Sequence, residues 1–170
     1  MKTVYVAMLL GLAAVMPCHA AEPSPDDFSA KILTAHNGAR SELKLPPLVW
    51  SVTLAEHAQG WVAQLQKQGH PGHSPRDSRP GEGENIWAGS AGQFTPEEMV
   101  RGWTEEKAYF SNGPFPKVSK PGDKRIPGHY TQVIWKNTKE VGCAAGTLGA
   151  FDVLVCRYAP LGNVPGEKPY

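Results

Sequence analysis

The sequence lacks any excess of charge and any second long apolar run, and both absences exclude classes of protein. Seventeen basic residues include Lys2 in the leading segment, and sixteen acidic residues balance the remaining sixteen. A chain without surplus positive charge gives no electrostatic case for a nucleic-acid partner. Beyond residue 20 no apolar run approaches the roughly 20 residues that a membrane helix needs. We therefore expect neither a nucleic-acid-binding protein nor a transmembrane segment after processing.

The first twenty residues differ in character from the rest of the chain. Lys2 precedes the apolar run 6–15, and small residues lead up to Ala20, which is the pattern of a secretory signal. Lipidation at Cys18 is the alternative, but Pro17 directly before it fits such a site poorly, so cleavage after Ala20 is favoured. The remaining residues 21–170 have the length of one domain. We expect an exported monomer, either secreted or periplasmic.

Cysteine is scarce, with only Cys143 and Cys156 left after the leader is removed. In an oxidising compartment such a pair normally closes. The segments 141–145 and 151–158 predict an antiparallel hairpin with a two-residue turn at Gly149-Ala150. That register places the two cysteines opposite each other, whereas a slip of one residue would send the sulfurs to opposite faces. We expect the disulfide.

Helical periodicity and capping residues predict four helices. They lie at 26–43, at 52–68 after the cap Ser51, at 96–109 after the cap Thr95, and from about His129. Between the second and third helices, residues 69–92 carry little periodic signal and much glycine and proline. We predict an irregular, functional segment there. Residues 48–50 are expected to be a short apolar connector.

One acidic residue departs from the amphipathic pattern of the third predicted helix. Glu106 falls on the face of Met99, Trp103 and Phe110, whereas Glu105 points to solvent. A buried carboxylate needs a partner, or its pKa rises. The alternative is a glutamate at the rim whose carboxylate reaches water. Glu106 is thus a candidate site residue on helical phase alone.

A second segment rich in proline and glycine, residues 111–128, carries aromatic and basic side chains. Phe110 and Phe115 stand beside scattered charges that include Lys117 and Arg125. This combination favours a lip that contacts lipid or a partner protein. A solvated connector is the alternative.

Four motifs in order resemble the secreted superfamily of cysteine-rich secretory proteins, antigen 5 and plant pathogenesis-related class 1 proteins. They are His36-Asn37 with Arg40; His73-Ser74 with Gly83-Glu84-Asn85-Ile86; Gly128 to Trp135 with Val141 to Ala144; and Val155 to Asn163 with the segment to Tyr170. The resemblance covers residues 30–170. It implies an α+β fold, a three-layer α-β-α sandwich with an antiparallel sheet.

The resemblance also implies a cleft in which His73, Glu84, Glu106 and His129 converge. Two imidazoles with carboxylates suit a borderline divalent ion such as zinc, with water in an open position. The sequence therefore predicts zinc binding by the histidines, with the glutamates orienting them or ligating the metal. A buried polar network that only holds the loop against two helices is the alternative.

Three functions from different classes stay open. The resemblance favours a binding module for sterol, fatty acid or another small lipid, with an apolar slot at the Phe110–Phe115 lip or between helices. A hydrolase would use the four cleft residues as catalytic candidates, with Ser74 beside His73, although no nucleophile elbow is present. An effector would act by contacting an extracellular protein through residues 117–125.

Overall fold

The described part of the chain begins with helix α1, Pro25–Ser41. The computed structural model describes residues 25–170, so the expected leader 1–20 lies outside the described residues. The helix ends two residues earlier than predicted. Lys44 adopts a positive φ of 55°, and Pro46 follows. Both features stop a helix from continuing.

Helix α2, Val52–Gln68, has the bounds that its periodicity predicts. The Ser51 side chain accepts a hydrogen bond from the Leu54 N–H at 3.5 Å, as expected of the N-cap. At the other end Gly69 has a φ of 76°, and its N–H donates to the Leu65 carbonyl. A left-handed residue of this kind terminates a helix most easily when it is glycine.

Four strands form one mixed sheet in the order β1-β3-β4-β2. They are β1 Val49–Trp50, β2 Gly83–Ser90, β3 Glu140–Leu148 and β4 Phe151–Ala159. Strands β2, β3 and β4 are antiparallel, but β1 pairs with β3 in parallel. The expectation of a wholly antiparallel sheet is therefore wrong at its β1 edge.

Two sequence expectations are corrected by this sheet. Residues 69–92 are not irregular throughout, because β2 occupies 83–90 and pairs with β4 along its whole length. The connector 48–50 contains β1, whose backbone bonds to β3. In both cases the partner strand lies far along the chain, so no local pattern of residues marks the strand.

The predicted hairpin and disulfide are confirmed. Strands β3 and β4 are joined by the turn at Gly149-Ala150, where Gly149 has a φ of 59°. Cys143 lies opposite Cys156, and the two sulfurs are bonded.

The sheet is covered on both faces, which confirms the three-layer α-β-α sandwich. Helix α2 covers one face. Its residues Ala58, Val62 and Leu65 pack against Ala144, Leu148, Val153 and Val155 of the sheet. On the other face lie α1, α3 (Pro96–Thr104) and α4 (Gly128–Val133), whose shared core includes Ile32, Trp103, Tyr130, Val133, Leu154 and Tyr158. A 3-10 helix, Glu105–Tyr109, extends α3. Among residues 25–170, no helix is long and apolar enough to cross a membrane.

Candidate functional site

His129 is held at the start of α4 by Glu106. Its ring Nδ1 lies 2.7 Å from Glu106 Oε1, and Glu106 Oε2 accepts the backbone N–H groups of His129 and Tyr130 at 3.0 Å each. The His129 ring also stacks on Trp103, with centroids 6.1 Å apart. The Glu106 side chain is 14% exposed and that of Glu105 is 71% exposed. The structure therefore places Glu106 inward, as its helical phase predicts.

His73 is held in the same way by Glu84, and it lines the same cleft as His129. Its Nδ1 lies 2.8 Å from Glu84 Oε1. Ser74 donates its backbone N–H to the same oxygen and its hydroxyl to Glu84 Oε2, at 3.0 and 2.7 Å. Glu84 is fully buried at the start of β2, while the His73 ring is exposed. Each carboxylate thus fixes one imidazole and is itself fixed by neighbouring donors.

Arg157 from β4 balances the buried charge of Glu84. Its Nε lies 3.1 Å from Glu84 Oε2, an ion pair whose alignment does not make a hydrogen bond. Burial by itself raises the pKa of Glu84, but the hydrogen bonds from His73 and Ser74 and the charge of Arg157 outweigh it. The pKa of Glu84 therefore lies below its usual value. Glu84 is a carboxylate at neutral pH.

The two histidines line one cavity of about 250 Å³. The other lining residues are Glu84, Asn85, Ile126, Gly128 and Asn163. Because a carboxylate only accepts hydrogen bonds, each histidine carries its proton on Nδ1 when neutral, which leaves Nε2 with a lone pair. Glu106 stands behind His129 and is not part of the lining. Within residues 25–170 no three His, Cys, Asp or Glu side chains gather into a group that could hold a metal ion.

A buried chain of hydrogen bonds supports the cleft from behind. Asn85 Nδ2 donates to the His129 carbonyl at 3.0 Å and to the Tyr158 hydroxyl at 3.2 Å. The Tyr158 hydroxyl in turn lies 2.9 Å from His36 Nε2 on α1. Burial lowers the pKa of His36 to about 4, so this ring is neutral. Sequence reasoning missed the supporting roles of Asn85 and Tyr158, because their partners come from other elements.

The hydroxyl of Ser74 is not paired with His73. It donates to Glu84 and accepts from Arg157 Nη2 at 3.1 Å, and Ser74 is only 4% exposed. A serine nucleophile needs a base that takes its proton and a path for the substrate. The Ser74–His73 pairing that the hydrolase alternative uses is therefore not formed, and the buried hydroxyl has little access to a substrate.

The two phenylalanines of the predicted lip are half-buried. Phe110 packs edge-on against Tyr130, with centroids 5.2 Å apart, and contacts Tyr170. Phe115 lines a separate cavity beside His73. Phe110 thus packs at the edge of the core.

Comparison with known proteins agrees with this architecture. A model of the cysteine-rich secretory protein family (CAP) matches residues 33–158. Pathogenesis-related protein PRMS of Zea mays is 33% identical, over 99% of this chain and 97% of that protein. Pathogenesis-related protein 1C of Nicotiana tabacum is 35% identical, over 96% and 90%.

Solved structures show the same fold. The crystal structure of NaASP2 with Zn²⁺ has a TM-score of 0.72 and 26% identity, covering 91% of this chain and 90% of that one. The structure of BmVAL-1 has a TM-score of 0.70 and 26% identity, covering 91% and 86%. The chain therefore belongs to the cysteine-rich secretory protein family and is a CAP-domain protein of the pathogenesis-related type.

Proposed function

We propose that this chain is an exported binding protein whose cleft takes a divalent metal ion of the zinc class between His73 and His129. The observation that carries the proposal is that the two imidazole rings are held in the same way. Both have Nδ1 bound to a carboxylate, at 2.8 and 2.7 Å, and both border one cavity. A carboxylate on the far nitrogen is the usual outer-shell support of a zinc-binding histidine, because it fixes the tautomer and raises basicity.

The donor set fits a metal held by two histidines, with the glutamates as positioning residues. Both oxygens of Glu106 and both oxygens of Glu84 already accept hydrogen bonds. The ligands from the chain would then be the two Nε2 atoms, and water or a bound molecule would fill the other positions. Protein zinc sites commonly use three or four side chains, so we expect a weaker, exchangeable site. The structure of NaASP2 with Zn²⁺ supports the choice of ion.

Isothermal titration of the metal-free protein with zinc tests this proposal. We expect saturable binding to the wild type, a large loss of affinity in His73→Ala or His129→Ala, and no zinc binding in the double variant. His70→Ala is the matched control, because His70 is an exposed histidine of the same segment. Equal affinity in the double variant and the wild type would overturn the proposal.

A second candidate function is lipid binding, favoured by a cavity lined by the start of α1, by β1, by α2 and by β3. It has a volume of about 450 Å³. Its walls include Phe28, Trp50, Val52, Ala55, Cys143 and Ala144, with Glu56 and Gln59 as polar members. An apolar cavity with few polar groups is the usual form of a small-ligand site. In this proposal the cavity, and not the Phe110–Phe115 lip, would hold the apolar part of the lipid.

Binding of a labelled sterol or fatty acid tests this second function. Ala55→Phe fills the cavity and should abolish binding, because Ala55 lies on its wall. Gln64→Phe adds the same side chain to an exposed position of α2 and should bind normally. Saturable binding that survives Ala55→Phe would place the lipid elsewhere, and no saturable binding of either lipid would reject the function.

A further inference from the structure

A second polar cavity, of about 270 Å³, adjoins the histidine cleft on the side of His73. Its walls bring together two arginines, two glutamates and two apolar side chains. They are Arg76, Arg79, Glu82, Glu84, Phe115 and Leu161. What this cavity can bind depends on which of its charged groups are already satisfied by the protein.

The two carboxylates are satisfied. Glu84 accepts from His73 and Ser74. Glu82 lies with one oxygen 2.7 Å from His57 Nδ1 and accepts from Arg157 Nη1 with the other at 3.3 Å. Arg157 contacts both glutamates, 3.1 Å from Glu84 and 3.3 Å from Glu82. Neither carboxylate is therefore free to bind a cation in this cavity.

Arg79 is only partly satisfied by the protein. Its Nη1 donates to the Glu82 carbonyl at 3.0 Å, and its Nε reaches the Ser74 carbonyl only at 3.5 Å. The nearest carboxylate oxygen, from Glu84, is 3.8 Å away, and Nη2 meets no acceptor in the described part of the chain. The side chain is nevertheless only 10% exposed. Burial lowers the pKa of Arg79, and the charge of Glu84 only partly opposes this effect.

The balance of charge indicates a ligand with one negative charge. Around the cavity stand three guanidinium groups, those of Arg76, Arg79 and Arg157, against the two glutamates. One positive charge is left over. A guanidinium presents paired donors that match the two oxygens of a carboxylate. A single carboxylate would neutralise the excess and supply the acceptors that Arg79 lacks.

We propose that this cavity binds a small organic carboxylate with an apolar body. The carboxylate accepts from Arg79, with Arg76 at the exposed mouth, and the body packs on Phe115 and Leu161. The volume limits the ligand to about the size of a substituted benzoate or a short acyl chain. This site shares His73 and Glu84 with the metal cleft, but its anion is recognised by arginines. It therefore does not depend on the proposed metal.

Titration of the isotope-labelled full-length processed protein with benzoate, acetate and inorganic phosphate tests the site. Chelator is present throughout and ionic strength is constant, so that metal binding cannot contribute. We expect saturable shifts at Arg79 and Phe115, with benzoate binding more tightly than acetate because only benzoate has a body for the apolar wall. Phosphate should bind more weakly than benzoate, since it has no apolar body for Phe115 and Leu161 to contact.

Four variants make the test specific. Arg79→Gln should weaken benzoate binding about tenfold or more, which is the loss of one charge-assisted pair. Arg79→Lys keeps the charge without the paired donors and should be intermediate, and Arg76→Gln should lose less. Arg101→Gln is the control, because Arg101 is an exposed arginine on α3 and should bind as the wild type does.

Several results would overturn the proposal. Benzoate shifts that do not saturate by tens of millimolar would reject it, and so would phosphate binding more tightly than benzoate. If Arg79→Gln does not fold, Arg79→Lys and Arg76→Gln decide, and wild-type affinity in both would reject the site. If the wild type binds benzoate but does not bind zinc, only the metal proposal is rejected.

Discussion

Glu106 and His129 are joined twice, through the ring and through the backbone. One carboxylate oxygen accepts from the imidazole and the other from the His129 N–H at the start of α4. The same carboxylate therefore sets both where the helix begins and which ring nitrogen of His129 carries the proton. Glu106, a charged residue on an apolar helix face, thus holds His129 and the start of α4 in place.

The Glu106→Gln variant tests these two roles of the carboxylate, because it changes the acceptors while nearly keeping the size of the side chain. The amide nitrogen of glutamine cannot accept, so one of the contacts to His129 or to the start of α4 is lost. We expect zinc affinity to fall about tenfold or more, as for other outer-shell partners, and stability to fall by about 1–3 kcal/mol. Glu105→Gln, at an exposed position one residue earlier, should change neither quantity. Wild-type zinc affinity in Glu106→Gln would show that the ring is held in some other way.

Stability should fall on acidification because of His36. Its pKa is about 4 in the fold and 6.5 when unfolded, so between these values only the unfolded chain takes up the proton. The stability that depends on neutral His36 is fully present above pH 6.5 and is lost as the pH falls to about 4. The free energy of unfolding falls by about 3 kcal/mol in total over this range. The lowered pKa of Glu84 adds a further loss below its unfolded value of 4.5.

Urea unfolding at a series of pH values measures this effect. His36→Gln should flatten the dependence between pH 6.5 and 4, whatever its effect on stability at neutral pH. His70→Gln, which changes an exposed histidine, should leave the slope as in the wild type. An unchanged slope in His36→Gln would mean that another group titrates.

Reduction of the disulfide should lower the stability of the fold without unfolding it. Cys143 and Cys156 are separated by 13 residues, and closing a loop of that length contributes roughly 3 kcal/mol. Denaturant unfolding with and without reductant measures the difference, and the Cys143→Ser, Cys156→Ser double variant should not respond to reductant. Intact mass provides a check on the bond itself, since reduction must add two hydrogens. Equal stability of the oxidised and reduced protein would contradict the expected contribution.

The elements that could be predicted are those whose signals are local. Helix α2 has its cap, its apolar period and its terminal glycine within its own residues. The hairpin has its turn at Gly149-Ala150, which also sets the register of the two cysteines. The inward position of Glu106 followed from helical phase for the same reason.

What could not be predicted depends on partners far along the chain. Arg40 is fully buried because four backbone carbonyls, those of Pro46, Val133, Trp135 and Thr138, accept from its guanidinium. Three of these lie more than ninety residues away, so nothing on α1 marks this arginine as a core residue. Strand β2 was missed likewise, because Glu84 and Asn85 are polar and their burial depends on Arg157 and Tyr158 of β4. The positions of His73 and Glu84 came from family resemblance, and their pairing came only from the fold.

Metal binding between His73 and His129 requires that both rings present Nε2 to the same ion. Long-range proton–nitrogen NMR of the imidazole rings, assigned with His73→Gln and His129→Gln, tests it most directly. In the metal-free protein the neutral form of both rings should be the Nδ1–H tautomer, and one equivalent of zinc should shift both Nε2 signals in a single step. If zinc shifts neither ring, only one ring, or the two in separate steps, the two histidines do not share a metal site.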